Sequence, residues 1–324
     1  MSDRTAVGRV KVSVCMLAYN HQEFIAQAVE GAIAQSGDFD LELVIGDDAS
    51  SDDTSAILRT LQEKYPEQIK LRINPKNMGM MGNLEATLNE CSGTYIAMLE
   101  GDDYWTDPKK LAKQAEFLEA NRDFAICFHP VQVLEPDGFK ADRFTNEVAS
   151  VTSINDLAKG NYIHTCSVVY RAGVFAEYPA SFKSSTVGDY FMHMLFARHG
   201  LIKKLPDTMA VYRVHSGGVW SAHNNLEKKI TKYLECMIGT FDAPIDAMLM
   251  QRHAEVSARI FLTDPDVANR DENIRRCMRF GSEHFTAEIL KLQAEVKQLR
   301  RGLLRRVASR IRRTLTQSRT VQTG

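Results

Sequence analysis

The side chains best suited to chemistry fall in three short stretches, Ala18-Tyr19-Asn20-His21, Asp47-Asp48-Ala49-Ser50 and Glu100-Gly101-Asp102-Asp103-Tyr104-Trp105. Each follows a run of apolar, strand-like residues. Together they would bring an aromatic ring and four aspartates to one rim of a sheet. Turn chemistry explains one Asp pair, because Asp is a good turn and capping residue; it explains two pairs and the aromatic poorly. Adjacent carboxylates repel unless a cation neutralises them, and hard divalent cations prefer oxygen ligands. Mg²⁺ or Mn²⁺ on one or two carboxylates usually completes its shell with water and phosphate oxygens, so a cation bridging a diphosphate is the natural reading.

Those stretches need elements to position them. VSVCMLAY (12–19), LELVIG (41–46), IKLRIN (69–74) and TYIAML (94–99) read as strands. Between them lie helical patterns: one carrying Phe24, Ile25, Ala28, Val29 and Ile33, one running from the capping residues Ser51–Thr54 to about Lys64, and a short one around Leu84–Leu88. Asp107-Pro108 offers an N-cap with proline at the first helical position, opening a helix to about Ala120. This βαβα alternation predicts an α/β fold with a mainly parallel, doubly wound sheet, in which ligands bind beyond the carboxyl ends of the strands.

Further along, FAICFHPVQVL (124–134) and YIHTCSVVYR (162–171) look like strands joined by a turn at Glu135-Pro136-Asp137-Gly138. A helix from Asp189 to about Arg198 closes at Gly200, and MAVYRVH (209–215) is a late strand. His129 and His164 fall in strand-like runs, as core or rim residues. From Leu226 on, the pattern is helical, with a break near Thr263-Asp264-Pro265.

Composition narrows the class. Of 324 residues, 44% are hydrophobic and 25% charged, the balance of an ordinary globular protein. The six cysteines lack zinc-site and redox spacings. The N-terminal stretch has no signal-peptide pattern and no apolar run approaches a membrane span, so a cytoplasmic location is expected. The net charge of −1 hides a division. From Lys291 onward there are ten basic residues and one acid, Glu295, whereas the preceding 290 residues carry a balance of −10.

VSVCMLAYN, LVIGDDASSDDT, GTYIAMLEGDDYW, VGDYFMHMLFARHG (187–200) and AVYRVHSGGVWS (210–221), in this order, resemble the family-2 inverting glycosyltransferases with the GT-A (Rossmann-like) fold. The resemblance spans roughly residues 11–221. It implies that Ala18, Tyr19 and Asn20 hold the nucleoside, with Tyr19 stacking on the base. Asp48 would hydrogen-bond the base and Asp47 help shape its turn. In Gly101-Asp102-Asp103, matching the family's Asp-x-Asp-type element, Asp103 would coordinate Mn²⁺ or Mg²⁺ and Asp102 would support ribose or metal. Asp189 matches the catalytic base, and His215 a histidine that often completes the metal shell. Asn83 lies where relatives often carry a basic residue on the diphosphate, a departure that weakens this contact here. Asp189 also suits a plain helix cap, and Trp105 either lines the sugar or acceptor pocket or packs under the metal loop.

The implied reaction is coherent. An acceptor hydroxyl is a weak nucleophile at neutral pH, so a placed carboxylate such as Asp189 takes its proton as it attacks opposite the departing nucleotide. A cation on Asp103 then stabilises the charge gathering on the diphosphate. The expected partners are a nucleotide-diphosphate sugar, with UDP-sugar the first guess, and a glycan or lipid-linked acceptor, in bacterial surface polysaccharide synthesis. Other readings are a sugar-nucleotide nucleotidyltransferase, against which stands the lack of a glycine-rich basic phosphate loop near the N-terminus, and a non-catalytic nucleotide-binding scaffold.

The expected organisation is a catalytic domain over 1–225, a helical extension over 226–290 and a basic amphipathic tail over 291–324. In the tail Leu292, Val296, Leu299, Leu303, Val307, Ile311 and Leu315 form one helical stripe with arginines between them. Such a helix can lie on an anionic membrane, here the inner face of the cytoplasmic membrane, or pack on a partner helix in a homo-oligomer. Nucleic-acid binding is disfavoured because the tail lacks interleaved aromatics and the body is acidic.

Overall fold

The structure is a computed structural model that describes residues 9–145, 147–175, 177–218 and 226–263, with 289–291, 294 and 297. The chain divides into two compact units, Met1–Leu249 and Met250–Gly324. The apolar stripe read in the tail lies outside the described residues.

The first unit opens β1 (Val10–Ala18), α1 (Ile25–Ile33), β2 (Phe39–Asp47), α2 (Thr54–Lys64), β3 (Ile69–Ile73), α3 (Gly79–Leu88) and β4 (Tyr95–Glu100). After β5 (Tyr104–Trp105) come α4 (Lys110–Ala120), β6 (Phe124–Phe128), β7 (Gln132–Glu135), β8 (Gly138–Lys140), β9 (Val151–Thr152) and α5 (Ile154–Ala158). It continues with β10 (Val169–Arg171), α6 (Ala180–Lys183), α7 (Asp189–Ala197), β11 (Leu201–Lys204), β12 (Ala210–Arg213) and α8 (Leu226–Met237). A further helix, α9, spans Ala243–Thr263.

Eight strands form the main sheet in the order β3-β2-β1-β4-β10-β6-β11-β9. It is mostly parallel: β1 pairs in parallel with β2 and β4, β2 with β3, and β6 with β11, while β10 and β9 run against their neighbours. The register sets Ala18 opposite Asp47 and Leu17 opposite Glu100, so the polar residues after these strands leave the sheet along one edge. The chain winds outward from β1 to β3, then returns to β4 on the other side of β1. That return is the switch point at which open α/β sheets leave a crevice.

Alternation along β1 explains the layers. Val12, Val14, Met16 and Ala18 face one core, shared with Ile25, Ala28, Val29 and Ala32 of α1, Leu58 of α2 and Leu111 and Leu118 of α4. Cys15 faces the other, shared with Leu84 and Leu88 of α3, Phe191 and Leu195 of α7, and Tyr233, Leu234 and Met237 of α8. Both faces are covered, as a parallel sheet requires.

Two expected strands are shorter than they read. FAICFHPVQVL divides at His129-Pro130 into β6 and β7, which belong to different sheets. Pro130 has no N–H to continue a ladder. YIHTCSVVYR is strand only at Val169–Arg171; before it, Thr165–Ser167 forms a 3₁₀ turn in which the Ser167 N–H and hydroxyl both donate to the His164 carbonyl. The Asp107 cap also differs in detail. Its carboxylate accepts the Lys109 N–H at 2.8 Å, and Pro108-Lys109 form a turn before α4 begins at Lys110.

Candidate active site

The loops after β1 and β2 are built as one unit. Asn20 N–H donates to Ser50 Oγ (2.9 Å), Ser51 N–H to Asn20 Oδ1 (2.8 Å), His21 N–H to Thr54 Oγ1 (2.8 Å) and Asp53 N–H to Gln22 Oε1 (3.0 Å). Both loops turn through left-handed backbone, Asn20 at φ 56° and Ala49 at φ 58°. Asn adopts this region readily, whereas Ala49 stores on the order of 1 kcal/mol of strain. Asp47 is fully buried and serves the turn: its carboxylate accepts the hydroxyls of Ser50 and Ser55.

Asp48 is 3% exposed and held from two sides, Oδ1 accepting Asn74 Nδ2 at 2.8 Å and the Met78 N–H at 2.7 Å. Tyr19, by contrast, is 47% exposed. Asn83 is buried beneath the β2 end, with Nδ2 donating to the Gly46 carbonyl (2.8 Å) and Oδ1 accepting from Asn74 (3.1 Å) and Arg72 (3.0 Å). Both ends of its amide are thus committed inside the protein. A glycine at 46 is what permits this, since a Cβ there would lie 2.0 Å from Thr87 Oγ1 and 2.7 Å from Asn83 Oδ1.

Across the switch point stands the acidic group. Glu100, Asp102 and Asp103 each present a carboxylate oxygen within 4.8 Å of the others. Gly101 lets the β1 loop close on them; a Cβ there would meet His21 Nδ1 at 2.7 Å. Asp103 is fully buried, with Oδ1 accepting the Arg213 N–H at 2.8 Å. Asp102 Oδ2 lies 3.0 Å from His215 Nε2 and 3.8 Å from His21 Nε2. The remaining oxygens, Asp102 Oδ1 and Asp103 Oδ2, are buried without a hydrogen-bond partner.

The electrostatics match this geometry. Burial, then the charges of Asp102, Asp103 and Asp189, push the Glu100 carboxyl well above its ordinary range. Burial and the neighbouring Asp102 do the same to Asp103. At Asp102 burial also pulls upward, but the bond to His215 and the charges of His21 and His215 outweigh it and leave the group low. Burial lowers His21 against the opposing pull of Asp102. Three crowded carboxylates with two unsatisfied oxygens form a site that a hard cation fits, because it would supply the missing positive charge and accept both oxygens.

A second sheet, β5-β12-β7-β8, delivers His215 to this place. β5 follows directly on Asp103 and pairs antiparallel with β12, Ala210 opposite Trp105 and Val211 opposite Tyr104. Trp105 is a support, 5% exposed, its Nε1 donating to the Cys166 carbonyl at 2.7 Å and its ring lying under Lys110 Nζ at 4.1 Å. On the opposite side Asp189 starts α7, with its Oδ1 accepting the Tyr190 N–H (2.7 Å) and its Oδ2 the Thr165 hydroxyl (3.4 Å). Burial raises Asp189. His164, packed against Tyr212 and bonded to Asp142 at 3.2 Å, sits next to Thr165.

The structure thus brings Ala18, Tyr19, Asn20, Asp47, Asp48, Asp102, Asp103, Asp189 and His215 to the carboxyl edge of β1, β2 and β4. It sets Asn83 and Trp105 beneath that edge as buried supports. Glu100, His21 and Arg213 are participants to which the sequence alone assigned no role. Arg213 closes β12 two residues before His215, but nothing local in the sequence shows where its side chain goes.

Comparison with known proteins agrees. Residues 13–178 match the family described as Glycosyl transferase family 2. The uncharacterized protein Mb1547 of Mycobacterium bovis is 36% identical over 247 residues, covering 75% of this chain and 70% of its own. The Escherichia coli UDP-Glc:alpha-D-GlcNAc-diphosphoundecaprenol beta-1,3-glucosyltransferase WfaP is 31% identical over 214 residues, 64% of this chain and 79% of WfaP. The fold matches crystalline S. aureus TarS 1-349 in complex with UDP at a TM-score of 0.61, with 17% identity over 86% of this chain and 83% of that one. With the acidic edge and the mostly parallel sheet already in view, the chain belongs to glycosyl transferase family 2 and is a glycosyltransferase of GT-A type.

Proposed function

We propose that this glycosyltransferase moves a sugar from a UDP-sugar to a hydroxyl of a glycan or lipid-linked acceptor, inverting the anomeric centre, with a divalent cation at its acidic cluster. The observation that carries this reading is the convergence of Glu100, Asp102 and Asp103 at the carboxyl edge of the sheet, with Asp102 Oδ1 and Asp103 Oδ2 left without a partner. Two similar proteins support a uridine nucleotide, since WfaP is named for UDP-Glc and TarS was crystallised with UDP.

Tyr19, exposed at the end of β1, offers a ring face to the base, and Asp48 a carboxylate held in one orientation by Asn74 and Met78. Asn20, Ala18 and Asp47 shape the paired loops, and Asn83 supports Asp48 through Asn74. Asp103, with Asp102 and Glu100, would hold the cation, while His215 steadies Asp102. When bound, the cation would supply positive charge against the leaving diphosphate. Asp189 takes the acceptor proton; burial raises its pKa, which makes it a stronger base than an ordinary exposed aspartate. Having the cation at one group and the proton acceptor at another separates the two tasks without a covalent glycosyl-enzyme.

Residues 1–225 carry this site. We assign 226–290 as a helical extension and 291–324 as a basic helix that rests on an anionic membrane, consistent with acceptors used in surface polysaccharide assembly. No helix among the described residues is long and apolar enough to cross a membrane. Incubation with a panel of nucleotide sugars, with Mn²⁺ or chelator, tests the donor reading: UDP release that needs the cation is expected. Release from GDP-sugars alone would overturn the uridine assignment, and equal release in chelator the metal assignment. Co-sedimentation with phosphatidylglycerol vesicles, lost on deleting 291–324, tests the tail.

A further inference from the structure

Arg213 stands beside the carboxylates of Asp102 and Asp103 and its guanidinium pairs with neither. Its backbone N–H bonds Asp103 Oδ1 at 2.8 Å, but its guanidinium goes elsewhere: Nη1 donates to the main-chain carbonyl of Asp102, and Nη2 to Gln27 Oε1 on α1. It also packs against two aromatic rings, with Cζ 4.4 Å from the Tyr104 ring centre and 5.0 Å from that of Phe24. A free arginine near carboxylates would take the bidentate pairing that matches its fork. Here two directed bonds and two aromatic faces hold the fork away, and Asp102 Oδ1 and Asp103 Oδ2 stay without a partner.

We propose that Arg213 is a positioning residue for the Asp102-Asp103 loop, fixing the loop main chain to β12 and α1 while its own charge is kept off the carboxylate oxygens that a divalent cation would use. The inference rests on the reading of that cluster as a cation site. The main chain and the side chain of this one residue divide the work. The backbone N–H orients Asp103, the Nη1 bond sets the peptide of Asp102, and the Gln27 bond with the Phe24 and Tyr104 faces stops the fork from rotating. Lysine cannot reproduce this, because its ammonium is a compact point charge on a flexible stem with no plane to stack.

The test uses the full-length protein, with Mn²⁺ and UDP as probes. Calorimetry would measure the Mn²⁺ affinity at fixed UDP, and UDP affinity separately in chelator. Arg213→Lys is expected to weaken Mn²⁺ binding on the order of tenfold, as seen when supports of metal ligands are lost, with UDP binding in chelator unchanged. The ammonium would swing onto the freed carboxylates and compete with the cation. Gln27→Ala, a change at an exposed position of α1, is the companion: about a threefold loss in the same direction with an unchanged melting temperature. If Arg213→Lys does not fold, Gln27→Ala decides. Wild-type Mn²⁺ affinity in every variant that folds, with or without lower thermal stability, would make Arg213 only a structural strut and overturn the proposal. Should the wild-type protein itself bind UDP equally with and without Mn²⁺, the reading of the cluster fails instead, which the same titration distinguishes.

Discussion

Removing a carboxylate from the acidic cluster should stabilise the protein without ligand and destroy its response to ligand. Consider Asp103→Asn. The carboxylate oxygens of Glu100, Asp102 and Asp103 lie within 4.8 Å of one another. At an effective dielectric constant of about 20, two full charges at that separation repel by about 3.5 kcal/mol. Burial and Asp102 already push Asp103 well above its ordinary range, so the full-charge repulsion overstates what the substitution relieves. The gain from the amide is therefore smaller, roughly 1–2 kcal/mol. Asparagine keeps an oxygen for the Arg213 N–H, and its NH₂ can donate to the neighbouring carboxylates, so no bond in the loop need be lost. In a unit of this size each kcal/mol shifts the melting temperature by about 2–4 °C, so the variant should melt roughly 2–8 °C higher in chelator. With Mn²⁺ and UDP at about a hundred times their dissociation constants, the wild-type protein gains about 2.7 kcal/mol and the variant almost none, so the order of melting inverts. Differential scanning calorimetry in the two buffers reads both halves. A variant that melts lower in chelator, or that still gains from Mn²⁺ and UDP, refutes the reasoning.

Two further outcomes follow from contacts at and below the site. Glu42 on β2 binds Lys11 at 2.7 Å and the Ser92 N–H at 2.6 Å, and although burial opposes it, the bonds from Lys11, Ser13 and Ser92 bring its pKa down to about 2. The folded state thus binds this proton less tightly than the unfolded chain. The stabilisation is complete above the unfolded value of about 4.3 and is lost as pH falls towards about 2. Glu42→Gln should cost about 1–2 kcal/mol near neutrality, allowing for partial solvent screening, and almost nothing near pH 2, with transfer activity unchanged. Urea midpoints across that range check it. Gly46→Ala places a methyl against Thr87 and Asn83, so it should destabilise by about 1–3 kcal/mol and weaken UDP binding through the displaced Asn74–Asp48 pair. Equal UDP affinity in calorimetry would show that this chain of contacts does not reach the nucleotide.

Much of the sheet and its rim is legible in the residues because the information there is local. β1 to β4 carry their own apolar runs, each ends in residues that favour turns, and parallel strands joined by helices leave those ends on one edge. What escapes is set by distant pairings. Nothing beside Asn83 reveals that Gly46, far away in sequence, leaves room for its amide under β2. Trp105 reads equally as a pocket wall or a support until Cys166 and Lys110 are seen to hold it. The 124–134 run looks continuous because hydrophobicity is, and only the missing N–H of Pro130 breaks it between two sheets. Arg213 and His21 escape because their effect depends on the β5–β12 pairing and the close approach over Gly101, both contacts between segments far apart in the chain.

The central claim is that Asp189 removes the acceptor proton while the acidic cluster of Glu100, Asp102 and Asp103 holds the donor through a cation. Asp189→Asn isolates it, since the amide oxygen can still accept the Tyr190 N–H and the NH₂ can donate to the Thr165 hydroxyl, yet the group cannot take a proton. Single-turnover transfer from a saturating UDP-sugar with Mn²⁺, measured beside UDP affinity, is the direct measurement. The account predicts donor and UDP affinity within about twofold of wild type and transfer reduced by at least a hundredfold, the lower end of what a lost general base costs. Transfer at the wild-type rate by a folded Asp189→Asn protein would contradict it.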